Sequence, residues 1–169
     1  MQKEHILSGK TIKELENIMQ SIGEQSFRAR QIYKWINKKQ VTDFNKMTDL
    51  SKDLRKKLSE QFVIKTMEVK TKEKSELDGS QKYLFELSDG NFIESVFMQE
   101  DGRNTICLST MVGCSIGCPY CATGLKGLKR NLSSGEIVEQ LLWVARDNNL
   151  SITNVVFMGM GEPFLNYDN

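Results

Sequence analysis

The sequence predicts an α/β chain in three consecutive parts: a small helical domain, an antiparallel β-meander, and the opening βα units of a parallel sheet. Three observations carry this reading. Apolar residues recur at helical spacing up to about residue 62, the period changes to alternation from about Val63, and a strand, loop, helix, strand order follows from about residue 104. The parts are therefore residues 1–62, 63–103 and 104–169. The 39% apolar content suits a soluble globular protein, and no segment approaches the roughly 20 apolar residues that span a bilayer. With no secretory signal peptide, the expected location is the cytoplasm.

In the first part, Thr11 and Glu14 form a capping box, Ile12, Leu15, Ile18, Met19 and Ile22 share one stripe, and Gly23 ends the helix. A second helix begins after Ser26 and is expected to bury Phe27, Ile32, Trp35 and Ile36, leaving Arg28, Arg30, Lys34, Lys38 and Lys39 outside. A third follows Ser51, packing Leu54, Leu58 and Phe62 and exposing Lys52, Arg55, Lys56 and Lys57. Net charge is +1, but residues 1–70 carry 15 Lys or Arg against 9 Asp or Glu, whereas 71–169 carry 8 against 13. A front of +6 ahead of a back of −5 suits a chain that grips a polyanion at one end, because cations on phosphates release condensed counterions. Ordinary solvated helix faces would give the same pattern.

In the second part, turn signals at Asp78-Gly79, Asp89-Gly90 and Asp101-Gly102 cut the alternating segment into hairpins. Phe92, Glu94, Val96 and Met98 share one strand face, and Ile93, Ser95 and Phe97 share the other. Glu94 is the misfit. Among apolar neighbours its charged form would be disfavoured, whereas at a strand edge it would simply face water.

The third part carries Gly113-Cys114-Ser115-Ile116-Gly117-Cys118-Pro119-Tyr120-Cys121, three thiols in a C-x3-C-x2-C loop with no fourth ligand nearby. Gly113 and Gly117 permit sharp turns, Pro119 stiffens the approach to the last thiol, and the three are expected to converge on one centre. Iron–sulfur cubanes usually take four thiolates, so three suggest a cluster with one iron open to a ligand. Zinc is the competing metal, but a closed zinc site would need distant Cys107 and His5. A disulfide framework suits shorter, cysteine-richer secreted chains. Cys107, seven residues upstream, also reads as a small buried hydrophobe.

After the loop, Ser133 and Glu136 make a second capping box, and Ile137, Leu141 and Val144, flanked by Leu142 and Trp143, form an amphipathic helix to about residue 147. Strands are expected near residues 104–111 and 152–158, the second running through Val155-Val156-Phe157 into Met158-Gly159-Met160-Gly161-Glu162-Pro163. Parallel strands joined by helices carry functional loops at their carboxyl ends, so the cysteine loop and the glycine turn should share a face.

Those two motifs resemble the radical S-adenosylmethionine superfamily, in which an aromatic residue often precedes the last cysteine, as Tyr120 does here. With Cys107-Leu108-Ser109-Thr110, Cys121-Ala122-Thr123-Gly124, Gly127-Leu128-Lys129-Arg130-Asn131-Leu132, Ile152-Thr153-Asn154, Phe27-Arg28-Ala29-Arg30-Gln31-Ile32-Tyr33-Lys34-Trp35-Ile36 and Met47-Thr48-Asp49-Leu50-Ser51, the chain is similar to dual-specificity RNA methyltransferases that methylate C2 of adenine. The resemblance implies a partial (β/α)6 barrel, of which only the first two parallel strands fall in this sequence. It implies a 4Fe–4S cluster on Cys114, Cys118 and Cys121, and S-adenosylmethionine oriented by Gly161 and Glu162 with Tyr120 nearby, although Tyr120 also suits simple packing. Two adenosylmethionine molecules are implied, one methylating a carrier cysteine and one cleaved to a 5′-deoxyadenosyl radical.

The same resemblance gives Glu94 the part of general base and pairs Cys107 in a transient disulfide with that carrier cysteine. It implies 23S rRNA and tRNA as partners, the helical domain contacting RNA, and an electron donor such as a flavodoxin. Complete members continue beyond the glycine turn to the carrier cysteine; this sequence ends at Asn169, so an amino-terminal portion without methylating activity of its own is expected. The sister enzyme acting on adenine C8 is the nearest alternative, disfavoured by Gly161-Glu162-Pro163, and a non-catalytic zinc- or RNA-binding fragment is the alternative of another class.

Overall fold

A computed structural model describes residues 6–169, so His5 lies outside the described residues. The chain divides into two compact units, residues up to Thr66 and Met67–Asn169.

The first unit holds three helices: α1 (Ile12–Ser21), α2 (Phe27–Tyr33), which runs into a wider π-helical turn at Lys34–Lys38, and α3 (Lys52–Gln61). Both halves of the Thr11/Glu14 capping box form, so α1 starts where its local chemistry dictates. Leu15, Met19, Ile32, Trp35, Ile36, Leu54 and Leu58 make the core with Leu7, Phe44, Met47 and Leu50. Trp35 Nε1 donates to Asp49 Oδ1 at 2.5 Å, which satisfies a buried indole.

Two expectations for this unit are corrected. Phe27 is 49% exposed rather than buried, its ring lying under the Arg28 guanidinium at 4.6 Å. At the first helical position it precedes the stripe that faces the core, so Ala29 and Ile32 take that side instead. Of the cations expected outside, Arg28, Arg55 and Lys57 are half-buried because they bond Gln31 Oε1, the Asn45 carbonyl and the Ile22 carbonyl respectively. Arg30, Lys34, Lys38, Lys39, Lys52 and Lys56 are exposed.

The second unit is a mixed α/β structure. Strands β1 (Met67–Lys74), β2 (Gln81–Leu87), β3 (Phe92–Glu100) and β4 (Arg103–Cys107) form an antiparallel meander. After β5 (Met111–Gly113), β6 (Leu128–Asn131) and helix α4 (Ser134–Asn148), strand β7 (Asn154–Val156) returns parallel to β4. The sheet order is β1-β2-β3-β4-β7, so the meander and the βα segment share one sheet, while β5 and β6 pair separately. Residues 108–110 thus leave the ladder inside the first expected strand, 104–111.

Tyr83, Phe85, Ile93, Phe97 and Ile106 from the sheet, with Ile137 and Val144 from α4, form the core of this unit. The Ser133/Glu136 box starts α4 as expected. Its carboxyl end is pinned to β2, where Tyr83 Oη donates to Asp147 Oδ2 at 2.7 Å. Among the described residues, no helix is long and apolar enough to cross a membrane.

Candidate functional site

The parallel pair β4/β7 places the loops that follow each strand side by side. Leu108 N–H donates to the Val156 carbonyl at 2.8 Å, and Gly159 N–H donates to the Leu108 carbonyl at 3.1 Å. Thr110 and Met111 both donate to the Met160 carbonyl, at 2.9 and 3.2 Å. The Gly159–Glu162 turn is thereby stitched along residues 108–111, on the same side as the cysteine loop.

Close approach explains the glycines. A Cβ on Gly159 would fall 2.7 Å from the Leu108 carbonyl oxygen. Gly161 has φ +104°, and a Cβ there would sit 2.7 Å from the Met111 side chain and 2.8 Å from Thr110 Oγ1. That Thr110 hydroxyl is buried and has no hydrogen-bond partner. Glu162 accepts from Phe164 N–H at 3.1 Å, capping a short helical turn at Pro163–Asn166. The buried Asn166 amide then donates to the carbonyls of Thr110 and Leu132, at 2.8 and 2.9 Å.

Of the three loop thiols, Cys114 is buried and Cys118 and Cys121 are half-buried. Gly113 (φ +78°) is required at the loop's start, since a Cβ would clash with the Gly127 carbonyl oxygen at 1.9 Å. Cys114 N–H donates to that Gly127 carbonyl, and Cys121 N–H to the Cys118 carbonyl. The Gly124 amide, assisted by the Thr123 amide and hydroxyl, holds the Cys121 thiol below its ordinary range, favouring the thiolate. The expected convergence is not seen. Among the described residues, no group of three His, Cys, Asp or Glu is arranged to hold a metal ion. In donor identity and spacing along the chain the loop fits a thiolate-ligated cluster, and the buried, unpartnered Thr110 hydroxyl beside the glycine turn fits a polar ligand.

The other expected residues are dispersed. Glu94 does not lie among apolar neighbours: its side chain is 48% exposed and 3.6 Å from Lys82 Nζ. The reason is the sheet's sidedness, since Ile93, Ser95 and Phe97 turn inward while Phe92 is 41% exposed. Tyr120 is 90% exposed. Cys107 ends β4 beside Val96 and Val156, and burial pushes its thiol up despite a bond from Met158 N–H. All four cysteines are free thiols, so nothing among them supports the implied disulfide.

Several residues missed in the sequence hold this region together. Arg130 on β6 donates to Glu136 through Nη1 at 3.0 Å and Nη2 at 2.8 Å, and to Asp89 through Nε at 2.5 Å. Gln140, fully buried on α4, spans Ser95 and Ser109. A polar residue one turn after Glu136, next to the Ile137/Val144 stripe, was the available signal. Between the β2–β3 turn and the cysteine loop lies a cleft of about 300 Å³, lined in part by Phe92, Gly113, Lys126, Lys129 and Met160.

Comparisons with known proteins agree with this layout. Residues 6–64 match the ribosomal RNA large subunit methyltransferase N-terminal domain, and residues 108–169 match the radical SAM superfamily. A probable dual-specificity RNA methyltransferase RlmN of Thermotoga neapolitana is 49% identical over 156 residues, covering 92% of this chain and 46% of the relative. One of the same description from Petrotoga mobilis is 46% identical over 169 residues, covering 100% and 49%. The crystal structure of a radical SAM methyltransferase from Sphaerobacter thermophilus superposes with a TM-score of 0.90 at 40% identity, covering 96% of this chain and 49% of that one. The chain spans about half the length of the curated relatives it matches.

Proposed function

The chain belongs to the dual-specificity RNA methyltransferase family of the radical S-adenosylmethionine superfamily, matching the amino-terminal part of its members, and we propose that it contributes the cofactor-binding half of such an enzyme. One observation carries the proposal: the parallel ends of β4 and β7 present a three-thiol loop and a glycine turn on one side of the sheet. Cys114, Cys118 and Cys121 would hold a 4Fe–4S cluster in the opening turns of a partial (β/α)6 barrel. Bound there, the cluster supplies the electron that cleaves S-adenosylmethionine.

The chain's own residues then have distinct tasks. Gly161 lets the turn pack directly against Met111 and Thr110, whose unpartnered hydroxyl would meet the amino acid end of adenosylmethionine, and Glu162 would orient its ammonium, with Tyr120, exposed on the cysteine loop, as a further contact. Glu94, on the exposed sheet face, takes the proton from adenine C2. Cys107 is a free thiol at the mouth of the same face. Arg30, Lys34, Lys38 and Lys39 face solvent and would contact phosphates of 23S rRNA and tRNA. The relatives' dual specificity supports two RNA substrates, and Gly161-Glu162-Pro163 supports C2 over C8. Two adenosylmethionine molecules per turnover and a flavodoxin-like electron donor complete the proposal, set in the cytoplasm.

Anaerobic reconstitution with iron and sulfide tests it. The expected result is a reduced-cluster electron paramagnetic resonance (EPR) signal that adenosylmethionine perturbs, absent in Cys118→Ala. Stoichiometric zinc with no such signal would overturn it.

A further inference from the structure

The Gly159–Glu162 turn and the strand carrying Glu94 are not neighbours in the sheet; β4 lies between them. Pairing of β3 with β4 ends at Val96↔Cys107, so the Glu94 carbonyl lies beyond the ladder's end. There Ser109, fully buried, substitutes for the missing strand: its Oγ donates to the Glu94 carbonyl at 2.6 Å and accepts from Met160 N–H at 2.9 Å. One hydroxyl has one donor and room for such an acceptance, so both roles are chemically filled.

Ser109 is in turn gripped by α4. Its N–H donates to Gln140 Oε1 at 2.9 Å, and its carbonyl accepts from Gln140 Nε2 at 2.9 Å. The side-chain amide thus pairs with the Ser109 peptide as another strand would. Gln140 also accepts from Ser95 Oγ at 2.6 Å and donates to the Glu136 carbonyl at 3.2 Å. All four hydrogen-bonding positions of the amide are used in a region shut off from water, where geometry is enforced most strictly.

We propose that Ser109, held by Gln140, is a positioning residue that references the adenosylmethionine turn and the Glu94 strand to one oxygen atom. It acts through Met160 N–H on the turn and through the Glu94 carbonyl on the strand. The inference rests on the function proposed above.

The test uses the full-length protein, reconstituted with its cluster, and reads adenosylmethionine affinity by equilibrium dialysis together with hydrogen exchange at the Met160 amide. Ser109→Ala is expected to retain cluster content, weaken adenosylmethionine binding about tenfold and speed Met160 exchange, whereas Ser109→Thr, which keeps the hydroxyl, recovers most of both. Ser95→Ala, which removes one bond to Gln140 without touching the turn, should leave affinity within about twofold of the unaltered protein. If Ser109→Ala does not fold, Gln140→Met serves in its place, preserving volume and removing the amide, with the same expectation. Unchanged affinity and unchanged Met160 exchange in a folded variant overturn the positioning role alone. An unaltered protein that carries its cluster yet fails to bind adenosylmethionine overturns the functional reading and this inference with it.

Discussion

Arg130 grips Glu136 through both terminal guanidinium nitrogens, at 2.8 and 3.0 Å, tying the strand that leaves the cysteine loop to the first turn of α4. The carboxylate is 7% exposed and also closes the α4 capping box, so it is buried, charged and fully engaged. Arg130→Met would leave it without its cation. Loss of one partner from such a pair costs about 3 kcal/mol or more, and urea unfolding of the second unit should show it. A loss below about 1 kcal/mol would mean water already reaches Glu136.

The same pair sets an acid response. Burial opposes ionisation of Glu136 and Asp89, but the Arg130 guanidinium overcomes it, with help from Ser133 and Asn91, holding Glu136 below its ordinary value and Asp89 at about 2. Groups lowered on folding stabilise the fold above their unfolded values, about 4 for these carboxyls, and lose that contribution as pH falls through the folded values. Stability should therefore decline between about pH 4 and pH 2, and Arg130→Met should flatten that part of the profile. Parallel curves for both proteins would show that other carboxylates control acid unfolding.

Gly161→Ala is expected to disrupt the turn that holds adenosylmethionine. The residue would be strained at φ +104°, by about 1 to 3 kcal/mol, and its methyl would press on Met111 at 2.7 Å. Calorimetric titration of the cluster-loaded protein should show at least about tenfold weaker adenosylmethionine binding. Wild-type affinity would show that the turn is not the binding element.

Asp49→Ala should destabilise the first unit specifically. It strands the Trp35 indole N–H, whose residue is 8% exposed, at a cost of about 1 to 3 kcal/mol. Fluorescence melts in a Trp143→Phe background, where Trp35 alone reports, would register the shift.

Charge reversal at Arg30, Lys34 and Lys38 should lower RNA affinity similarly for all sequences and reduce the salt dependence by roughly 0.7 to 0.9 per lost phosphate contact. An unaltered salt slope would locate RNA binding elsewhere.

Residues three apart were the readable part of this fold. The boxes Thr11/Glu14 and Ser133/Glu136 formed as written, because each partner lies within one helical turn of the other. Burial was less readable. From its neighbours in sequence Phe27 reads as buried and Glu94 reads equally as buried or water-facing, yet both are exposed, because which face finds a partner depends on what packs across it. Ser109 and Gln140, 31 residues apart, gave no pairing signal at all.

By itself the sequence determined the succession of helical part, meander and βα segment, both capping boxes and the two motif loops, since these follow from backbone preference, hydrophobic period and glycine placement over short spans. Tertiary structure alone decided that the meander and the βα segment share one sheet, that β5 and β6 pair apart from it, and that one serine hydroxyl joins the glycine turn to the strand of Glu94. Those relations need groups far apart in the chain to satisfy one another's buried hydrogen bonds, a condition that exists only once the sheet and helix have packed.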